Sequence, residues 1–163
     1  MTKQKAQFNT QTLAKPLLAF YNSEKVKAID TQLLSSLPVN FDKKQINLEM
    51  IYLRGFTINF FLTLSIQDDN RRNNVFNSFY ERFKEADNKD KAYDYESLKE
   101  RSVGYTQSVK LNKEQKLGDI IGLKFAKLCG HENNQSLITI GTTTFSLTYQ
   151  ALAHFFQSVT IQD

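Results

Sequence analysis

From Asn133 to Gln162 the chain carries no Lys, Arg, Asp or Glu, and the one charged residue of 133–163 is Asp163. A stretch of this length without charge must be shielded by the rest of the molecule. Its Ile and Thr content favours strand, and ITIGTTTFSLT can be read as alternation. However, Phe145, Tyr149, Leu152, Phe156 and Val159 step by four and three residues, and Ile138 falls seven before Phe145. Alternation fails after Tyr149, whereas the helical repeat covers the whole stretch. The spacing predicts a buried helix near 136–160.

A second charge-poor stretch reads INLEMIYLRGFTINFFLTLSIQ. Ile46, Met50, Leu53, Phe60 and Leu64 make one helical face, and Ile51, Ile58, Leu62 and Ile66 another. A helix apolar nearly all round is buried on most sides. Asp42 and Gln45 have the spacing of a capping box, and Phe41 and Ile46 that of a hydrophobic staple. Helices near 43–66 and 136–160 are therefore expected to be central and to pack on each other.

Shorter signals surround this pair. Leu17, Phe20, Tyr21, then Ala28, Ile29, Leu33 and Leu37 suggest two helices broken at Asn22-Ser23 and ended by Pro38. Asp68-Asp69-Asn70 caps a helix with Phe76, Phe79, Tyr80 and Phe83 on one side, and DNKDK (87–91) reads as a solvated loop. Asp94 caps the next helix, with Tyr95, Leu98, Ser102, Tyr105 and Val109 in register. Asn112 and Gln115 form a further capping-box pattern before Leu117, Ile120, Ile121, Phe125 and Leu128. Gly130 stands where a left-handed C-cap glycine belongs.

In 163 residues, 40% are apolar and 23% charged, enough for one core. Six Gly and two Pro are too few for an all-β fold with frequent tight turns. The expected architecture is a single all-α domain over residues 12–163, a bundle of about seven helices, preceded by a mobile arm over 1–11.

The formal charge is +4. Residues 1–67 hold eight basic and four acidic side chains, and residues 68–132 thirteen and twelve. The charge-dense middle is thus balanced, and its field cancels over a short distance. Lys43-Lys44 and Arg71-Arg72 lie at helix starts, where phosphate contacts are favoured, but Asp42, Asp68 and Asp69 sit beside them. There is no helix-turn-helix signature and no aromatic-basic interleaving on a sheet. Nucleic-acid binding is the third reading of the chain.

The single cysteine, Cys129, permits no internal disulfide and no CxxC zinc site. With no secretory pattern in MTKQKAQFNTQTLAK and no apolar run of spanning length, the expected setting is cytoplasmic, without a membrane span. Cys129, His131 and Glu132 are too few to hold a metal, and His154 lies apart beside Phe155-Phe156. The end of a helix, where Cys129 lies, disfavours a thiolate. No nucleophile-elbow, zincin, phosphate-loop or dinucleotide motif is present. Asp87, Asp90, Asp94, Glu96 and Glu100 crowd among lysines in the manner of a solvated face. Neither enzyme activity nor a metal or cofactor is expected.

Arg54 is the most informative residue. It lies midway along the helix expected to be most buried, and its neighbours one turn away are Met50, Ile51, Thr57 and Ile58. A buried guanidinium is costly unless paired. Its partner must come from another helix, a backbone carbonyl or a ligand anion. The leading functional reading is a protein that binds another protein or itself through the Phe76/Phe79/Tyr80/Phe83 face or the Tyr95/Tyr105 face. The alternative is a small-molecule-binding bundle. There Arg54 clamps an anionic group, and Phe60, Phe61, Phe145 and Tyr149 line an apolar pocket. Gly118 and Gly122, one turn apart, let a second helix approach closely, inside the fold or at a dimer seam.

Overall fold

Side-chain caps mark five of the seven helix starts. The computed structural model describes residues 5–90 and 94–162, with 86–90 described by backbone. Its helices are α1 (Ala14–Tyr21), α2 (Glu24–Ser35), α3 (Lys43–Ser65), α4 (Asp69–Asp90), α5 (Tyr95–Leu111), α6 (Leu117–Leu128) and α7 (Gln135–Gln157). Six of these have twelve residues or more, and α1 is a two-turn segment of eight. The architecture is all-α, as the periodicity predicts. Among the described residues no helix is long and apolar enough to cross a membrane.

Ser23 Oγ accepts from Val26 N–H at the start of α2, Asp68 Oδ1 from Arg71 N–H at α4, and Asn134 Oδ1 from Leu137 N–H at α7. Each satisfies one of the orphan donors of a first helical turn. Asp94 does the same for Glu96 and Ser97, and the Ser97 hydroxyl and backbone hold its carboxyl below the usual range. Asp42 Oδ1 accepts from Lys44 and Gln45. The reciprocal half of that capping box is absent, because the Gln45 amide turns instead to Glu49 Oε1 at 3.2 Å.

Two expected boundaries between α4 and α6 move. Asn112 does not cap α6: its Nδ2 donates to Ser108 carbonyl at 2.8 Å and closes α5, leaving Lys116 to precede α6 without a side-chain cap. The helix of α4 continues through 87–90, where a loop was expected, while Lys91 lies outside the described residues. Gly130 does end α6 in the left-handed region at φ 78°. His131 N–H reaches Ala126 carbonyl and Gly130 N–H reaches Lys127 carbonyl, the paired bonds of a Schellman ending.

The arm expected over 1–11 is tied down where it is described. β1 (Ala6–Phe8) pairs in parallel with β2 (Val159–Ile161), in the register Ala6↔Val159, Gln7↔Thr160 and Phe8↔Ile161. The expected helix to residue 160 therefore stops at Gln157. Pairing gives both three-residue ends their backbone partners, and Phe8 packs its ring 6.1 Å from Phe155.

Helices α3 and α7 pack directly on each other, and α6 lies along α7. Two apolar clusters result. Leu13, Leu17, Tyr21, Phe79 and Phe83 meet the C-terminal half of α3 in one, and Phe56, Tyr105, Phe125 and Ile140 meet in the other. Gly118 and Gly122 face α7 within the fold. Thr142 Oγ1 donates to Gly118 carbonyl at 2.9 Å, and a Cβ on Gly122 would lie 2.6 Å from Ile138 carbonyl oxygen. This notch serves the α6–α7 contact.

Candidate functional site

Two ion pairs, each with a buried carboxylate, link α3 to its neighbours. Arg54 Nη2 donates to Asp30 Oδ1 of α2 at 2.6 Å, with the side chains 4% and 9% exposed. The Tyr21 ring lies 5.9 Å from the guanidinium carbon. Glu49, fully buried, is gripped by Arg101 of α5 through Nε and Nη2 at 2.7–3.1 Å. The required partner of Arg54 thus comes from another helix. A signal for it exists in the sequence: Asp30 lies four residues after Val26 and three before Leu33, on the stripe α2 turns inward. Glu49, three after Ile46 and four before Leu53, carries the same signal.

The Arg54–Asp30 pair forms the floor of a cleft of about 350 Å³. Its origin is topological. Helices α2 and α7 both lean on α3 but scarcely touch each other, and the end of α1 closes one side. Phe20, Val26 and Ile29 form one wall, and Thr144, Leu147 and Thr148 of α7 the other, with exposed Lys25 and His154 at the mouth. Apolar walls around a few converging polar groups are the usual make-up of a small-molecule site, and the volume is at the small end of the range of about 300–1,000 Å³.

Thr144 is the anomaly on this wall. Thr57, Thr63, Thr139 and Thr148 each donate to the carbonyl four residues back, the usual way a helical threonine satisfies its hydroxyl. Thr144 is 4% exposed, and its Oγ1 has no partner in the protein. An unmade hydrogen bond at a buried hydroxyl costs about 1–3 kcal/mol.

Asp30 titrates abnormally. Burial raises its carboxyl above the ordinary value, and the charge and hydrogen bond of Arg54 offset this only in part. The folded state therefore holds the Asp30 proton more tightly than the unfolded chain, so this group's contribution to stability is greatest below about pH 3.9 and falls as pH rises through the folded pKa. In urea titrations at a series of pH values, Asp30→Asn is expected to remove that downward trend. An identical pH profile for the two proteins would contradict the assignment.

The aromatic faces expected to bind partners lie largely in the core. Phe79 and Phe83 are 1% and 0% exposed, and Tyr105 is 0% exposed and stacked 4.9 Å from Phe56. Phe76, Tyr80 and Tyr95 are half-buried, with Tyr80 edge-on to Tyr95 at 5.7 Å. Burial, with Tyr95 adding to it, pushes the Tyr80 phenol up to about 12. The physical reason is the demand of the core: α1 and α3 pack against α4 here and cover the stripe.

Nor do Phe60, Phe61, Phe145 and Tyr149 line the cleft beside Arg54. They fill space against one another, Phe61 edge-on to Tyr149 at 5.1 Å and Phe60 to Phe145 at 6.2 Å. Of the basic pairs at helix starts, Arg72 is engaged by Asp69 and donates to Ile66 carbonyl. Among the described residues no group of three or more His, Cys, Asp or Glu is placed to hold a metal. His131 packs its ring 4.8 Å from Phe41.

Cys129 is unsuited to thiolate chemistry. Burial, and secondarily the charge of Glu49, push its thiol up to about 12. Because the thiolate is the reacting species, alkylation by iodoacetamide at neutral pH is expected to be about three orders of magnitude slower in the folded protein than in urea, where the thiol titrates near 8.5. Equal rates would show the thiol open to solvent.

Comparison with protein-family models, with curated proteins and with solved structures finds no match for this chain, so the chemistry of the cleft between α2 and α7 is read from its own geometry.

Proposed function

We propose that this protein is a non-catalytic small-molecule-binding helical bundle, with its ligand seated in the cleft between α2 and α7 above Arg54. The observation that carries the reading is the coincidence, in one apolar-walled cleft, of a buried ion pair and a buried threonine hydroxyl that lacks a partner. Among the described residues the hydroxyls of Ser102, Tyr105 and Thr144 are buried without a partner, and of these residues Thr144 alone lines the cleft. Oγ1 is closed off in this rotamer, so a ligand atom would supply the missing hydrogen bond after a turn about χ1, for which threonine has two rotamers in a helix.

An NMR fragment screen tests this on the full chain. Hits are expected to perturb the amides of Val26, Asp30, Thr144 and Thr148 together and saturably. Ala151→Phe, which places a ring on the lining of the cleft, is expected to abolish those shifts while the remaining spectrum stays dispersed. A screen in which no fragment of any charge perturbs the cleft would reject the reading.

A further inference from the structure

This inference rests on the cleft being a ligand seat, and names the chemistry it selects. We propose that it prefers an amphipathic monoanion: a carboxylate held by Arg54 and the Thr144 hydroxyl, on a short apolar body lying between Val26, Ile29 and Leu147.

Hydrogen-bond donors outnumber acceptors among the polar side chains of the floor. Arg54 makes one hydrogen bond among the described residues, from Nη2 to Asp30, and a guanidinium carries five N–H donors. The Thr144 hydroxyl is unused, and exposed Lys25 adds a positive charge at the mouth. Against these stands one carboxylate, Asp30, with one oxygen already taken by Arg54. A group that accepts on two oxygens matches the planar fork of a guanidinium. A cation would find no second acid in the lining and would meet Arg54 and Lys25. A dianion would be poorly solvated against walls of Phe20, Val26, Ile29 and Leu147.

Thr144→Val separates a binding role from a structural one. Valine keeps the shape of threonine and removes the unpaired hydroxyl, so stability is expected to be unchanged or higher. The probes are octanoate, n-octanol and octylammonium, titrated into the isotopically labelled full chain with cleft amides as the readout. Octanoate is expected to bind about tenfold more tightly than octanol, and octylammonium more weakly than either. Thr144→Val is expected to weaken octanoate about fivefold without lowering the unfolding midpoint. Equal affinity for octanoate and octanol would overturn the anion preference while leaving the cleft as a binding site. Silence of all three probes, in a protein whose cleft still takes other fragments, would likewise overturn it, and silence to every fragment would remove the cleft reading itself. Octanoate binding to Thr144→Val as tightly as to the native protein would overturn the role of the hydroxyl.

Discussion

Arg54→Ala is expected to destabilise the fold by about 3–5 kcal/mol, the usual cost of stranding one member of a buried ion pair. Asp30 is 6% exposed and keeps no other cation within hydrogen-bond distance among the described residues once Arg54 is gone. Total stabilities of natural domains lie near 5–15 kcal/mol, so the variant is expected near its unfolding threshold. Urea unfolding followed by circular dichroism measures the loss. The companion variant is Arg54→Met with Asp30→Leu. Replacing both charges by apolar groups of similar size is often neutral or stabilising, so the double substitution is expected to recover most of the deficit. Recovery would identify the deficit with the stranded charge rather than with the volume of the arginine side chain. A loss below about 1 kcal/mol for the single variant, the range of exposed pairs, would mean that water entering from the cleft already solvates Asp30.

Gly122→Val is expected to destabilise by about 3 kcal/mol, at the upper end of core overpacking. A Cβ at Gly122 meets Ile138 carbonyl oxygen at 2.6 Å, the Thr142 hydroxyl closer still, and Ile138 Cγ2 at 3.0 Å. A side-chain contact can relax by rotation, but the carbonyl belongs to the backbone of α7 and cannot. Adding Thr142→Ala is therefore expected to restore only a minor part of the loss. Gly141 makes the contact reciprocal, since a Cβ there would lie 2.6 Å from Cβ of Phe125. The two helices approach closely because each offers a glycine to the other. Thermal unfolding of Gly122→Val measures the effect, with Gly104→Ala as the control, where a Cβ would meet only the flexible end of Lys124. Equal midpoints for the two would show that α6 and α7 can separate at little cost.

The binding reading has a physical counterpart in this packing. Helix α7 is closely packed on α6 along Gly118, Gly122 and Thr142, whereas its other flank faces the opening to α2. One flank is closely packed against α6, and the other supplies Thr144, Leu147 and Thr148 to the lining of the cleft.

Much of the fold was legible from residue order. Periodicities of three and four identified α3 and α7 even though Ile and Thr content argued for strand in α7. Ser23, Asp42, Asp68 and Asp94 marked helix starts, and Gly130 marked an end, because capping involves residues only a few positions apart. Asn112 shows where such local reading stops. Its amide can cap α6 by accepting on its oxygen or close α5 by donating from its NH2, and only the tertiary path of the chain selected the second. The β1–β2 pair was not legible at all, because it joins residues about 150 positions apart through backbone groups that every residue carries.

For the site, the sequence by itself determined that a charge lay in the middle of a helix that had to be buried, and so that Arg54 needed a partner. Identifying that partner as Asp30, covering Phe79, Phe83 and Tyr105, and leaving a gap between α2 and α7 were decided by the tertiary structure. The reason is physical. A residue's own cost of burial follows from its chemistry and its place on one helix. What relieves that cost, and where packing fails to close, depends on how several helices divide the space around α3.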